Sequence, residues 1–197
     1  MSARAQGGTG AREVRIMALG DSLTAGYGLA RSEGFVAQLE AALRAKGIAA
    51  RVLDAGVSGD TTAGGRARLD WALADRPDAA IVALGGNDGL RAIDPAATYA
   101  NLDAILTRLA ERNIPVLLAG MLAPPNLGNE YGAAFREAYQ RLAREHDVVF
   151  YPFFLDGVAA EPTLNQPDGI HPNARGVAVM VARILPAVEQ LIEKTGS

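Results

Sequence analysis

The feature that most restricts the fold is an alternation of two periodicities. Strand-sized apolar runs occur at 14–20 (VRIMALG), 50–56 (ARVLDAG), 79–85 (AAIVALG), 115–121 (PVLLAGM) and 148–153 (VVFYPF). Between and after them lie longer segments, at about 33–47, 61–75, 95–112, 131–145 and 174–193, whose apolar residues recur every three or four positions. The first pattern suits strands and the second suits helices, and "HPN" ahead of the last segment is a helix-cap signal. Runs that are apolar nearly throughout belong to strands covered on both faces, which a parallel sheet with right-handed helical crossovers provides. The expected class is therefore α/β, a three-layer α/β/α sandwich around a five-stranded parallel sheet. In such sheets ligands bind beyond the carboxyl ends of the strands, so the loops that follow the strands carry the chemistry.

Composition narrows the function classes. With 197 residues the chain suits one domain, expected over 13–197, preceded by a small, polar, Gly-rich leader at 1–12. A net charge of −3 with interspersed signs offers no basic stripe to neutralise a phosphate backbone, so nucleic acid is not an expected partner. There is no cysteine, which removes disulfides, thiolate–zinc sites and cysteine nucleophiles. No apolar run approaches the roughly 18 residues of a membrane span, so stable membrane insertion is not expected. "ARAQ" in the leader has the small-x-small look that precedes signal cleavage. The expected location is periplasmic or secreted if an export signal has been trimmed there, and cytoplasmic otherwise.

Four loops draw attention. Gly20-Asp21-Ser22 follows the first strand, Ser58-Gly59-Asp60-Thr61 the second and Gly85-Gly86-Asn87-Asp88 the third, and "DGIHPN" with Asp168 and His171 precedes the last helix. Taken singly, each has an ordinary structural explanation. An Asp-Ser pair caps a helix, Gly59 permits a tight turn, Asn87 caps a helix, and Asp168 and His171 are turn and surface chemistry. The second histidine, His146, lies in a polar helix end and reads as surface. Brought to one sheet edge, however, the residues supply each part an ester hydrolase needs. Ser22 would be the nucleophile, His171 the base and Asp168 the group that orients it. The Ser22 and Gly59 amides and the Asn87 side chain would form the oxyanion hole.

The blocks "GDSLTAG", "SGDTT", "GGND" and "DGIHP" resemble, in order and spacing, those of the GDSL or SGNH hydrolase superfamily, named for its Ser, Gly, Asn and His. The longer stretches "LGDSLTAGYG", "SGDTTAGG", "LGGNDGLR" and "DGIHPN" are similar to its bacterial branch of arylesterases, acyl-CoA thioesterases and lysophospholipases. The resemblance implies a flavodoxin-like fold and hydrolysis of small-molecule esters or thioesters through an acyl-enzyme. It further implies no metal or other cofactor, and for many members a periplasmic location.

Two loops on the same edge, 89–94 and 122–132, are candidates for shaping the substrate site. Leu23, Leu90, Leu122 and Leu127 are the expected acyl-binding residues. Two rival readings use the same edge. In the first, Asp21, Asp60, Asp88 and Asp168 are ligands of a metal-dependent phosphoesterase, against which stands the shortage of histidines. The second is a non-catalytic module that binds an anion or nucleotide in a backbone nest formed by "SGDTTAGG". It leaves Ser22 and the Asp168–His171 pair without a task.

Overall fold

The structure is a computed structural model that describes residues 12–196. The "ARAQ" stretch and most of the expected leader lie outside them. Arg12, read as part of that leader, is described and pairs with Asp78.

Five strands, β1 (Val14–Gly20), β2 (Ala50–Gly56), β3 (Ala79–Ala83), β4 (Val116–Ala119) and β5 (Val148–Tyr151), form one parallel sheet in the order β2-β1-β3-β4-β5. The inner strands β3 and β4 are buried at every residue, whereas the edge strand β2 alternates between buried and more open positions. That difference is the physical origin of the continuous apolar runs in the middle of the sheet. Strands β3, β4 and β5 each end two residues before the apolar runs 79–85, 115–121 and 148–153 do, and Leu84 and Met121 stay buried as loop residues beyond the strand ends.

The helices are α1 (Ser22–Ala25), α2 (Phe35–Ala45), α3 (Thr62–Ala67), α4 (Leu69–Ala72), α5 (Gly86–Leu90), α6 (Pro95–Glu111), α7 (Gly128–Glu145) and α8 (Ala174–Glu193). α2 packs on α8 along one face of the sheet, and α3, α6 and α7 associate along the other. The strand order places β2 on one side of β1 and β3 on the other. The chain thus switches direction between β1 and β3, and a crevice opens at their carboxyl ends.

Two sequence expectations change in this region. The single helix expected at 61–75 is broken into α3, α4 and a 3₁₀ turn over Leu73–Asp75. The break falls at Arg68, whose backbone leaves helical geometry (φ −106°, ψ 6°) while its side chain reaches back toward the sheet edge. The loop expected at 122–132 contains a 3₁₀ turn over Pro125–Leu127, and α7 then starts at Gly128 rather than at 131. α1 and α5, single turns directly behind β1 and β3, are too short to show a periodicity.

Candidate active site

β1 delivers Gly20 to the crevice with no room for a side chain. A Cβ there would lie 2.0 Å from Thr24 Oγ1 and 2.9 Å from the Ala83 carbonyl oxygen. The chain then turns into α1. Asp21 is its N-cap, its Oδ1 accepting the Leu23 amide at 3.0 Å, and Ser22 is the first helical residue. "DS" is therefore a cap and also a presentation device: the aspartate takes the capping bond, which leaves the serine hydroxyl free to face the cleft. The Ser22 amide is one of the first-turn N–H groups that no carbonyl of its own helix can reach.

His171 and Asp168 come from the irregular segment between β5 and α8. This segment is pinned by backbone bonds from Gln166 N to the His171 carbonyl (2.7 Å) and from Asn173 N to the Leu164 carbonyl (2.9 Å). His171 Nε2 lies 2.9 Å from Ser22 Oγ, and its Nδ1 lies 2.7 Å from Asp168 Oδ2. Asp168 Oδ1 accepts the amides of Ile170 (2.9 Å) and His171 (3.0 Å). Donation from the His171 backbone, then from its ring, then from the Ile170 backbone, holds the Asp168 carboxyl down at about 2. An ionised carboxylate only accepts, so the imidazole proton sits on Nδ1 and Nε2 is left as the acceptor for the serine hydroxyl.

The remaining candidates line the same cleft. Gly59 is the third residue of a turn closed by the Asp60 amide on the Val57 carbonyl at 3.1 Å, and its φ is +85°. A left-handed third position is what a type II turn requires, so glycine is needed here for conformation. A Cβ on Gly59 would meet only Arg91 Nη2, at 3.8 Å, so space is not the constraint. The Gly59 amide belongs to the central peptide of the turn, outside the closing bond. Asn87 is the second residue of α5, whose N-cap is Gly85, so its side chain is not a cap. Its Nδ2 donates to the Asp60 carbonyl at 2.9 Å and, over a longer 3.3 Å, to Asp21 Oδ2. An oxyanion in the cleft would compete only with the weaker of these two bonds.

Asp21 is 2% exposed, and its carboxyl is pushed up to about 6 by that burial, against the opposing pull of the Leu23 amide, His171 and Asn87. The other acidic residues of the metal reading do not converge. Asp88 turns inward and accepts from Thr62 (amide 2.9 Å, hydroxyl 2.5 Å) and Thr98 (3.2 Å), and Asp60 pairs with Arg68. Among the described residues no cluster of three or more His, Asp or Glu side chains is placed to hold a metal ion. The proposed anion nest is also spent internally, because Thr61 caps α3 through the Gly64 amide and Thr62 is bound to Asp88. His146 lies at the carboxyl end of α7, paired with Asp103 at 2.8 Å, away from the cleft.

The cleft encloses about 590 Å³ and is mainly apolar. Leu23, Leu90 and Leu122 line it, but Leu127 does not: the 3₁₀ turn carries it away from the opening. Met121, Phe153, Leu155 and Ile170, which sequence reasoning missed, contribute to the lining. They reach it from loops and carry no periodic signal. Also missed was Tyr27, whose ring centre lies 4.6 Å from that of His171. Gln166 donates to both the Tyr27 (2.7 Å) and Pro172 (3.0 Å) carbonyls and so ties the serine loop to the histidine loop. The aromatic inside "GYG" was the one available hint.

The GDSL-like Lipase/Acylhydrolase family model matches residues 18–179. The chain is 38% identical over 178 residues to the esterase TesA of Pseudomonas aeruginosa, covering 90% of this chain and 89% of the relative. It is 41% identical over 159 residues to the thioesterase 1/protease 1/lysophospholipase L1 of Escherichia coli, covering 80% of this chain and 75% of that one. Among solved structures, that of AlinE4, an SGNH-hydrolase family esterase, superposes with a TM-score of 0.79 at 49% identity, covering 92% of this chain and 98% of the other.

Proposed function

Because the chain belongs to the GDSL-like lipase/acylhydrolase family, whose members hydrolyse esters, we propose that it cleaves carboxylic esters of apolar acyl groups through an acyl-enzyme on Ser22. The observation that carries this reading is the unbroken chain from Ser22 Oγ to His171 Nε2 (2.9 Å) and from His171 Nδ1 to Asp168 (2.7 Å), opening on an apolar cleft.

In the first step Ser22 Oγ attacks the acyl carbon while its proton passes to His171 Nε2. Asp168 stabilises the imidazolium without taking the proton itself. The carbonyl oxygen becomes an oxyanion facing the Ser22 and Gly59 amides and the Asn87 side chain, the last exchanging its long bond to Asp21 for the substrate. Collapse of the intermediate expels the alcohol or thiol, which leaves with the proton from Nε2. Water activated by the same nitrogen then releases the acid. The catalytic groups treat oxygen and sulfur leaving groups alike, so the preference between ester and thioester lies with the cleft. The thioesterase and lysophospholipase names of the Escherichia coli relative fit that range.

The test is incubation with p-nitrophenyl butyrate, with and without a fluorophosphonate, followed by peptide mass spectrometry. The expected result is stoichiometric phosphonylation of Ser22 with parallel loss of turnover. Turnover that survives full modification of Ser22, or an adduct on another residue, would remove Ser22 from the mechanism.

A further inference from the structure

We infer that Arg68 is a positioning residue of this hydrolase, its guanidinium bridging the serine turn to the oxyanion turn and so setting the spacing between Ser22 and the donors Gly59 and Asn87. The inference rests on the reading of those three residues given above.

Arg68 Nη2 donates to the carbonyl of Gly20 at 2.9 Å, two residues before the serine. Its Nε donates to Asp60 Oδ2 at 2.6 Å, one residue after Gly59. The backbone carbonyl of the same Asp60 receives the Asn87 amide at 2.9 Å. The Gly20 carbonyl also accepts the Val57 amide, the first residue of the Gly59 turn, at 3.0 Å. One side chain thus spans the ends of β1 and β2, and through Asp60 reaches the loop after β3. These are the three loops that carry the serine and two of the oxyanion donors.

Three further observations set this pair apart from the chain's other ion pairs. Arg68 and Asp60 side chains are each only 17% exposed, while the Arg108–Asp70 pair on the helical face is 40% and 68% exposed. Arg68 Nη1 is itself buried and has no hydrogen-bond partner among the described residues. The local backbone also accommodates the bridge. The helix breaks at Arg68, and Gly64 leaves room for the carboxylate, since a Cβ there would lie 2.5 Å from Asp60 Oδ1. Two donors held in one plane at a fixed separation are a property of guanidinium that a lysine ammonium does not share.

A clamp of this kind acts on the transition state, because the ground-state carbonyl depends far less than the oxyanion on the exact placement of the donors. Arg68→Lys retains the charge and loses the second bond. With p-nitrophenyl butyrate it is expected to lower kcat by about tenfold to a hundredfold, as misplaced catalytic groups do, with KM within about twofold. The melting temperature should hold, and a fluorophosphonate should still label Ser22. Asp60→Asn is expected to act in the same direction. The double variant should be no worse than the poorer single one, since both changes break the same bridge. Arg108→Lys, on the helical face, serves as the control with unchanged kcat.

Wild-type kcat in Arg68→Lys overturns the inference. So does a loss of activity that tracks a falling melting temperature, which would make Arg68 a stability residue only. If Arg68→Lys does not fold, Asp60→Asn decides: lowered kcat at constant KM supports the bridge, and wild-type kcat refutes it. Failure of the underlying catalytic reading is seen separately, in the wild-type enzyme, as the absence of a fluorophosphonate adduct on Ser22.

Discussion

Asp21 combines two demands that pull against each other. As the N-cap of α1 it must accept the Leu23 amide, yet it does so 2% exposed, where a carboxylate is poorly solvated. Its carboxyl consequently rests at about 6, above the ordinary 3.8. The sign of the effect on stability follows from linkage. Below pH 3.8 the group is protonated whether the chain is folded or not, and the stability its proton contributes is fully present. It is lost as pH rises through about 6, after which the buried charge costs the folded state up to about 3 kcal/mol. Asparagine caps a helix about as well as aspartate and carries no charge. Asp21→Asn should therefore raise the denaturation midpoint at pH 8 and leave it unchanged at pH 4, a difference that urea titrations at the two pH values would resolve. An equal change at both would mean that the capping bond, and not the buried charge, dominates. Asp168 shows the opposite case, a partly exposed carboxyl held at about 2 by its hydrogen-bond donors, so it stays ionised over the whole range in which the enzyme would be assayed.

The passage from β1 into α1 is where packing sets the reach of Ser22, the proposed nucleophile. Gly20 is the last ladder residue of β1, paired with Gly56 of β2 and Ala83 of β3. Gly56 is equally tight, since a Cβ on it would come within 2.5 Å of the Ala25 amide nitrogen. Two glycines facing each other across the ladder let α1 settle against the end of the sheet. Gly20→Ala would drive its methyl group into Thr24 and the Ala83 carbonyl, neither of which can move without shifting α1 or β3. The expected cost is about 1–3 kcal/mol of stability, as for other overpacked positions, together with a displaced Ser22. Chemical denaturation with a parallel esterase assay would check both, and an alanine variant of unchanged stability would show that the turn has slack. The broken helix α3–α4 belongs to this scale as well, because a continuous helix over 61–75 would carry Arg68 along its regular spiral.

At the scale of the whole molecule, the doubly wound sheet gathers at its switch point residues that are far apart in the chain. Ser22 and His171 stand 149 positions apart in sequence and 2.9 Å apart in space. The surface around them is unusual in character. Of the six exposed large hydrophobic side chains among the described residues, four, Tyr27, Leu90, Leu122 and Ile170, line the cleft. Such a cleft should reward acyl length. Each methylene removed from water contributes at most about 0.8 kcal/mol, or about fourfold in kcat/KM. A series of p-nitrophenyl esters from acetate upward should rise by no more than that factor per methylene and level off once the chain leaves the cleft. A profile that falls from acetate onward would contradict an apolar acyl site. Among the described residues no helix is long and apolar enough to cross a membrane.

The parallel α/β class, the strand centres and the helices α2, α6, α7 and α8 were legible in the sequence because burial on one or two faces writes a period into the chain. The residues proposed to carry the chemistry were legible as types, through "GDSL", "SGD", "GGND" and "DGIHP" at the ends of those elements. Short-range stereochemistry also spoke for itself at Gly59, where the turn requires a positive φ. Tertiary structure alone decided the rest. Leu127 left the cleft and Met121, Phe153, Leu155 and Ile170 entered it, because loop paths answer to packing and leave no periodic trace. Asp21, Asp60 and Asp88, alike on paper as acidic residues after glycine or asparagine, separated into a buried cap, an arginine partner and a threonine acceptor. Arg68 was one more polar position in an amphipathic segment until the fold brought the Gly20 carbonyl and Asp60 within reach of its guanidinium. A local pattern reports which face of an element is buried, whereas hydrogen bonds between distant loops depend on distances that only the assembled sheet creates.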